Sequence, residues 1–452
     1  MSPAFTIICI VLAIALLVLL TVKVKLHPFF ALTFSALFFG MIIGKSLPEV
    51  VASFADGLGG TIAGIGIVIA IGTVMGALLE KSGAAETMAE TILKITGKKH
   101  AALGLAVTGY FVSIPVFCDS AFVLLSPLAK RMARDTKVSM TTMAVALGMG
   151  LHATHMLVPP TPGPLSVAGI LDADLGLVIL LGMLVSIPVV AIALFAGKIL
   201  GNKYYYEIED IPTFDEGDTS EQKRPGALGA FLPILLPILL MLLNTIASLN
   251  SAPFGTDTFL ANFFEAVGQP STALLIGLIC AFVTYRKIYP DDNKVWTFDG
   301  EFGEALKTAG QIVLIVGAGG GFATVLKLSN LSEIVTAAFS NVSLGIIVPF
   351  IIGAIFRTCI GSGTVGMITA ASMLLPLMDV LGFASPIGRV IAMLACASGG
   401  FMVFHGNDDF FWVITSTSNM KPEVAYKVFP LISVLQAFTS LACVFVLQLI
   451  FL

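Results

Sequence analysis

The chain has 452 residues, of which 57% are hydrophobic and only 12% charged, with a formal net charge of −4 and a mean hydropathy of +0.98. Soluble domains carry about one quarter charged residues, so this balance excludes a soluble enzyme and a nucleic-acid binder. It describes an all-α polytopic membrane protein embedded in a lipid bilayer, with room for about ten to twelve spans of about 20 residues.

In chain order, 5–20 is an apolar run without a basic lead or a cleavage site, and reads as a retained first helix. Lys23 and Lys25 flank the next turn, a second span covers 26–44, and Lys45 opens an amphipathic connection. The run 61–79 contains Gly64, Gly66, Gly72 and Gly76, small residues that let helices approach closely; Glu80 and Lys81 after it read as a helix-end pair at the interface. A basic loop at 94–100 leads to a span interrupted by Pro115, with Cys118, Asp119 and Ser120 close behind, and then to the cluster Lys130, Arg131, Arg134 and Lys137. Pro115 in mid-span predicts a broken helix or a re-entrant hairpin.

The stretch 151–164, Leu-His-Ala-Thr-His-Met-Leu-Val-Pro-Pro-Thr-Pro-Gly-Pro, sets two of the five histidines beside four prolines, with apolar runs on both sides. Irregular polar backbone at membrane depth is tolerated only where it is buried in protein or lines a watery cavity, so this stretch reads as a site. A long apolar helix follows at 175–200. The residues 201–226 form the one long hydrophilic stretch and divide the chain into two transmembrane halves, 1–200 and 227–452, with 201–226 as a cytoplasmic linker. Basic loops mark the cytoplasmic side; the lysine- and arginine-free connection 244–270 is then external, and both termini face out.

The halves match in order. Gly72 to Gly76 pairs with Gly317 to Gly321, the break at Cys118-Asp119-Ser120 with Arg357 to Thr364, and His152 to Pro164 with Ser398 to Asp409. The offset is about 245 residues, the weak internal symmetry of a transporter built from inverted repeats, whose interrupted segments point to the substrate site. Arg357 stands inside an apolar run and needs an anionic partner, either a substrate carboxylate or Asp408 or Asp409. Its planar fork suits a carboxylate, and Ser362, Gly363 and Thr364 can present hydroxyls and N–H groups at a half-helix start. Asp119 is suited to accepting substrate hydroxyls or carrying a proton. His152 and His155 share a helix face and are either neutral structural histidines or, through substrate contact and proton handling, functional ones; no third ligand stands at a metal spacing. His405, Asn407, Asp408 and Asp409 form the densest polar cluster, where two adjacent carboxylates require protonation or pairing. The six cysteines lack metal-ligand spacing and read as small buried hydrophobes.

The series Leu79 to Ala85, Ile114 to Asp119, Thr154-His155 with Pro159 to Pro164, Arg357 with Gly361 to Val365, and His405 to Asp408 with Phe411-Trp412 resembles the gluconate permease (GntP) family over nearly the whole chain. The resemblance implies an inner-membrane secondary transporter, usually a proton symporter for sugar acids such as gluconate, idonate or fructuronate, with one branch carrying D-serine. It also implies membership of the ion transporter superfamily: a scaffold domain plus a transport domain with two hairpins, often a homodimer moving by an elevator mechanism. Two departures bear on the cargo. Thr161 stands where gluconate-type members tend to have His, and Phe117-Cys118-Asp119 where they tend to have Phe-Phe-Glu. A sugar acid, a smaller hydroxy acid and a D-amino acid therefore stay open.

The resulting expectation is a bacterial inner-membrane importer that moves a small anionic hydroxy-carboxylate with a proton, ahead of sodium, and needs no cofactor. Arg357, Ser362, Gly363 and Thr364 would hold the carboxylate; Asp119, Ser120, His155, Thr161 and Asn407 would contact the rest of the substrate; His155, His405, Asp408 and Asp409 would handle the proton. An intramembrane hydrolase is disfavoured because no Gly-x-Ser-x-Gly or His-Glu-x-x-His motif occurs. A passive channel differs by lacking pH-driven accumulation.

Overall fold

A computed structural model describes residues 3–206, 223–247, 253–255, 258–329, 345–406 and 408–452. Every regular element among them is helical. The first half contains α1 (Pro3–Val18), α2 (Pro28–Ile42), α3 (Leu47–Lys81), α4 (Ala84–Thr96), α5 (Ala101–Val112), α6 (Cys118–Thr136), α7 (Met140–Leu157), α8 (Pro162–Leu171) and α9 (Leu175–Lys203). The second contains α10 (Ala227–Ala247), α11 (Phe259–Gly268), α12 (Pro270–Ile288), α13 (Glu301–Leu326), α14 (Ile347–Ile360), α15 (Gly363–Leu374), α16 (Pro386–Gly399), α17 (Asp409–Thr417) and α18 (Pro422–Phe451).

Local chemistry sets the boundaries. Ser46 accepts from the Glu49 N–H at 3.4 Å to start α3, Asp174 accepts from Leu177 at 2.7 Å to start α9, and Ser385 caps α16 through Gly388 at 3.1 Å. Proline occupies the first turn of α2, α3, α8, α12, α16 and α18, where its missing N–H leaves no bond unmade.

Eight described segments are long and apolar enough to cross a membrane, and six apolar helices are shorter. The interrupted helices divide the remaining apolar chain into shorter pieces. One correction concerns α3. The connection after Lys45 is helical and continuous with the glycine-rich run, giving one helix of 35 residues, about 50 Å long at about 1.5 Å per residue. The basic loop expected from residue 94 is likewise still helical up to Thr96, and Lys130, Arg131 and Arg134 lie on α6.

The packing repeats between the halves. α3 crosses α13; α2 packs on α13 as α12 packs on α3; α5 and α9 flank α7 as α14 and α18 flank α16; α6 packs on α17 and α8 on α15. The α3–α13 crossing rests on its glycines: a Cβ at Gly320 or Gly321 would collide with Thr61 or Phe54 of α3. Interlocking of this kind places the interruption of each helix pair beside those of the other half.

Candidate functional site

Four interruptions punctuate the bundle, at 113–117, 158–161, 361–362 and, among the described residues, 400–406 and 408. They fall where the sequence loses helical capacity. Pro115 follows the end of α5, Pro159 and Pro160 separate α7 from α8, and Gly361 takes a left-handed φ of +87° between α14 and α15, a conformation that glycine adopts without steric penalty. Two glycines of α3 make room for the first two breaks. A Cβ at Gly76 would collide with the Pro115 carbonyl, and one at Gly72 would stand 3.4 Å from Pro160.

The breaks meet. A Cβ on Gly163, in the first turn of α8, would lie 3.7 Å from Thr364 in the first turn of α15. One on Gly363 would lie 2.9 Å from the Met156 sulfur and 3.6 Å from Arg357 Nη1. Phe117 and His155 have ring centroids 6.3 Å apart, and Phe122 of α6 meets Phe410 of α17 edge-on at 6.0 Å. The helices that leave the breaks, α6, α8, α15 and α17, all begin at this centre, so their N-terminal amides and positive dipole ends gather there.

Arg357 occupies the last turn of α14 and is 2% exposed. Its Nη1 donates to the Gly361 carbonyl and to Asp408 Oδ2, and its guanidinium carbon sits 5.5 Å above the Phe404 ring. The Nε and Nη2 atoms are buried and have no partner among the described residues. Asp408 is also the cap of α17, accepting from the Phe410 N–H at 2.7 Å through Oδ1. Of the partners open to Arg357, the fold selects Asp408; Asp409, one residue on, is exposed and stands apart from the buried pair.

Around this pair lie further buried polar atoms without a partner among the described residues: Asp119 Oδ1, His152 Nδ1 and His155 Nδ1. Buried polar groups are normally hydrogen-bonded, so a cluster of orphans marks a place where water or ligand completes the bonding. Asp119 lies within electrostatic reach of Asp408 and Asp409, and its Oδ2 receives only the weak Cys118 thiol at 3.9 Å.

The other expected residues divide. Thr161 is buried, but its hydroxyl is committed to the carbonyls of Val158 at 2.6 Å and His155 at 3.1 Å, which holds the α7–α8 break in shape. Ser362 is exposed and its Oγ caps α15 by accepting from Val365 at 3.4 Å. That leaves the Gly363 and Thr364 N–H groups as the orphan donors of a helix start. His405 is half-buried and hydrogen-bonds the Thr358 backbone. Asn407 lies outside the described residues. Glu80 and Lys81 do not pair with each other: Lys81 reaches Glu301 at 3.3 Å, while Glu80 stands within electrostatic reach of Glu86 and Glu301.

Sequence reasoning missed Met156, Phe404 and Gln436. Gln436, a buried amide in the apolar run of α18, donates to the Met149 carbonyl at 3.1 Å on the helix that carries His152, whose ring is enclosed by Phe401 and Phe404 at 5.2 and 5.1 Å. A solitary buried amide is the signal that would have found it. Among the described residues no three His, Cys, Asp or Glu side chains stand together as metal ligands.

A polytopic helical bundle whose interrupted helices begin at a shared polar centre, with a buried guanidinium among them, is the build of a membrane transporter. The GntP family permease model matches residues 5–450, and the chain belongs to this family of permeases. It is 32% identical over 449 residues to the gluconate permease of Pseudomonas aeruginosa, covering 98% of this chain and 97% of that one. It is also 32% identical over 456 residues to the D-serine transporter DsdX of Escherichia coli K12, covering 99% of each. Among solved structures it is similar to the Alcanivorax borkumensis YdaH transporter, with a TM-score of 0.65 and 15% identity over 93% of this chain and 97% of that one, a likeness of fold.

Proposed function

We propose that the protein is an inner-membrane symporter that imports a small hydroxylated carboxylate of the sugar-acid class, such as gluconate, together with a proton. The observation that carries this is the half-satisfied Arg357: one edge of a buried guanidinium is held by Asp408 and Gly361, and Nε and Nη2 are left without a partner among the described residues. A substrate carboxylate on that free edge completes the hydrogen bonding of the arginine, helped by the Gly363 and Thr364 amides. Asp119 and His155 accept or donate to the substrate hydroxyls, and Thr161 shapes the pocket floor.

Charge balance supplies the coupling. Arg357 and Asp408 are neutral as a pair, so a bound carboxylate would leave a net negative charge in a dry site, which is costly. A proton taken up by Asp408, Asp119 or a neighbouring histidine cancels it. The repeated packing of the two halves supports alternating access by inverted repeats joined through 201–226; an elevator movement within a homodimer is proposed on the family resemblance alone.

A second reading is favoured by the orphaned Asp119 Oδ1 and by the likeness to a D-serine transporter. Asp119 is a ready partner for the ammonium of a D-amino acid whose carboxylate sits on Arg357.

The test is Arg357→Lys. Lysine keeps the charge beside Asp408 but loses the fork, so substrate binding should weaken by about 1.5–3 kcal/mol, roughly 10- to 150-fold. Titration calorimetry in detergent with gluconate and with D-serine, alongside a thermal melt, checks it. A variant that melts and binds like wild type would overturn the assignment.

A further inference from the structure

Phe404 lies in the interruption between α16 and α17 and is fully buried. Its N–H donates to Ser433 Oγ of α18 at 2.9 Å, and that hydroxyl donates in turn to the Pro430 carbonyl at 3.0 Å. Around the ring stand His152 at 5.1 Å, Phe410 and Phe411 at 5.9 Å and Phe429 at 6.0 Å between centroids. These neighbours belong to α7, α17 and α18, so the ring is fixed from three helices. Val403, just before it, takes a φ of +48°, a left-handed conformation that a β-branched residue rarely adopts and that persists only where the surroundings impose it.

The same ring lies against the Arg357 guanidinium, whose carbon is 5.5 Å from the ring centroid. The hydrogen bonds that Arg357 makes to Gly361 and Asp408 both leave from Nη1, so they fix one corner of the fork. A fork held at one corner can swing about it. The negative face of an aromatic ring attracts a guanidinium, and does so more strongly where water is excluded. Phe404 therefore supplies a second point of hold, which sets the direction of Nε and Nη2, the two nitrogens without a partner among the described residues.

We propose that Phe404 is a positioning residue of the carboxylate site: its ring holds the Arg357 guanidinium in the orientation that presents Nε and Nη2 to a substrate carboxylate. The inference rests on the reading of Arg357 as the carboxylate anchor given above. The ring acts through the arginine and needs no contact with substrate. In the empty site the fork stays aimed, so an arriving carboxylate does not have to order it, which lowers the cost of binding. An aliphatic side chain of similar size would occupy the space without attracting the guanidinium. The fork could then swing, and only a fraction of the empty protein would be competent to bind.

The experiment uses the full chain in detergent, with Phe404 replaced by mono-, di- and trifluorinated phenylalanine through nonsense suppression. Fluorination barely changes the volume of the ring but progressively withdraws negative charge from its face. Calorimetric titration with gluconate and with D-serine is read beside a thermal melt. Affinity should fall stepwise along the series, by about 3- to 10-fold at the trifluorinated ring, within the strength of a cation–π contact, while the melting temperature follows no such trend. Phe404→Leu should lose at least as much affinity. Equal affinity along the series would overturn the positioning role and leave Arg357 standing as the anchor. Affinity that falls only in step with the melting temperature would make Phe404 a packing residue and overturn the role as well. Arg357→Lys binding like wild type, or a wild-type chain that binds neither ligand, would overturn the anchor reading and the positioning role with it.

Discussion

Arg357 and Asp408 divide the work of one buried ion pair unequally. Asp408 spends one oxygen on the α17 cap and the other on the guanidinium, whereas Arg357 retains nitrogens without a partner among the described residues. Removing the aspartate charge would leave the guanidinium buried and uncompensated, so Asp408→Asn should destabilise the fold by about 3–5 kcal/mol. Asp409→Asn, at an exposed position, should change stability by no more than about 0.5 kcal/mol. Unfolding midpoints in detergent separate the two; equal effects would contradict the pairing. The position of Arg357 was legible in the sequence because an ionisable residue in an apolar run demands a partner. The choice between Asp408 and Asp409 was not, since it depends on which side of the α17 start faces α14. Glu80 was misread for the same reason: Lys81 is its neighbour in sequence, but the Lys81 ammonium reaches Glu301 at the start of α13.

At the level of elements, the breaks could be read because Pro115, Pro159, Pro160 and Gly361 cannot sustain a helix where they stand. The length of α3 could not, because Lys45 to Gly60 looks amphipathic and polar by local composition, while a cap at Ser46 and packing against α13 make it helical. The glycines of that helix are not equivalent. Gly76 faces the Pro115 carbonyl, whereas Gly64 faces open space. Gly76→Val should therefore cost about 1–3 kcal/mol through overpacking and displace the break that carries Cys118 and Asp119. Gly64→Ala should be neutral or stabilising by about 0.5–1 kcal/mol. Thermal melts of the two variants check this, and a Gly76→Val protein as stable as wild type would show that the break does not lean on α3.

For the whole molecule, several packing pairs of one half have counterparts in the other, α5 and α9 on α7 beside α14 and α18 on α16 among them, which supports the internal match read from three short motifs. Composition had already established a helical membrane protein, and order plus spacing located the polar centre. What lay beyond the sequence was convergence: four helix starts and the orphaned atoms of Arg357, Asp119 and His155 come together only when α6 packs on α17 and α8 on α15. In the proposed cycle, the same geometry makes binding and protonation one event. The most direct measurement is uptake of labelled gluconate and D-serine by proteoliposomes of the wild-type chain, with inward proton and sodium gradients imposed separately. Accumulation of one of them on the proton gradient, with none on the sodium gradient, is the predicted result; equilibration without accumulation on either gradient would contradict a coupled transporter and leave a passive pathway in its place.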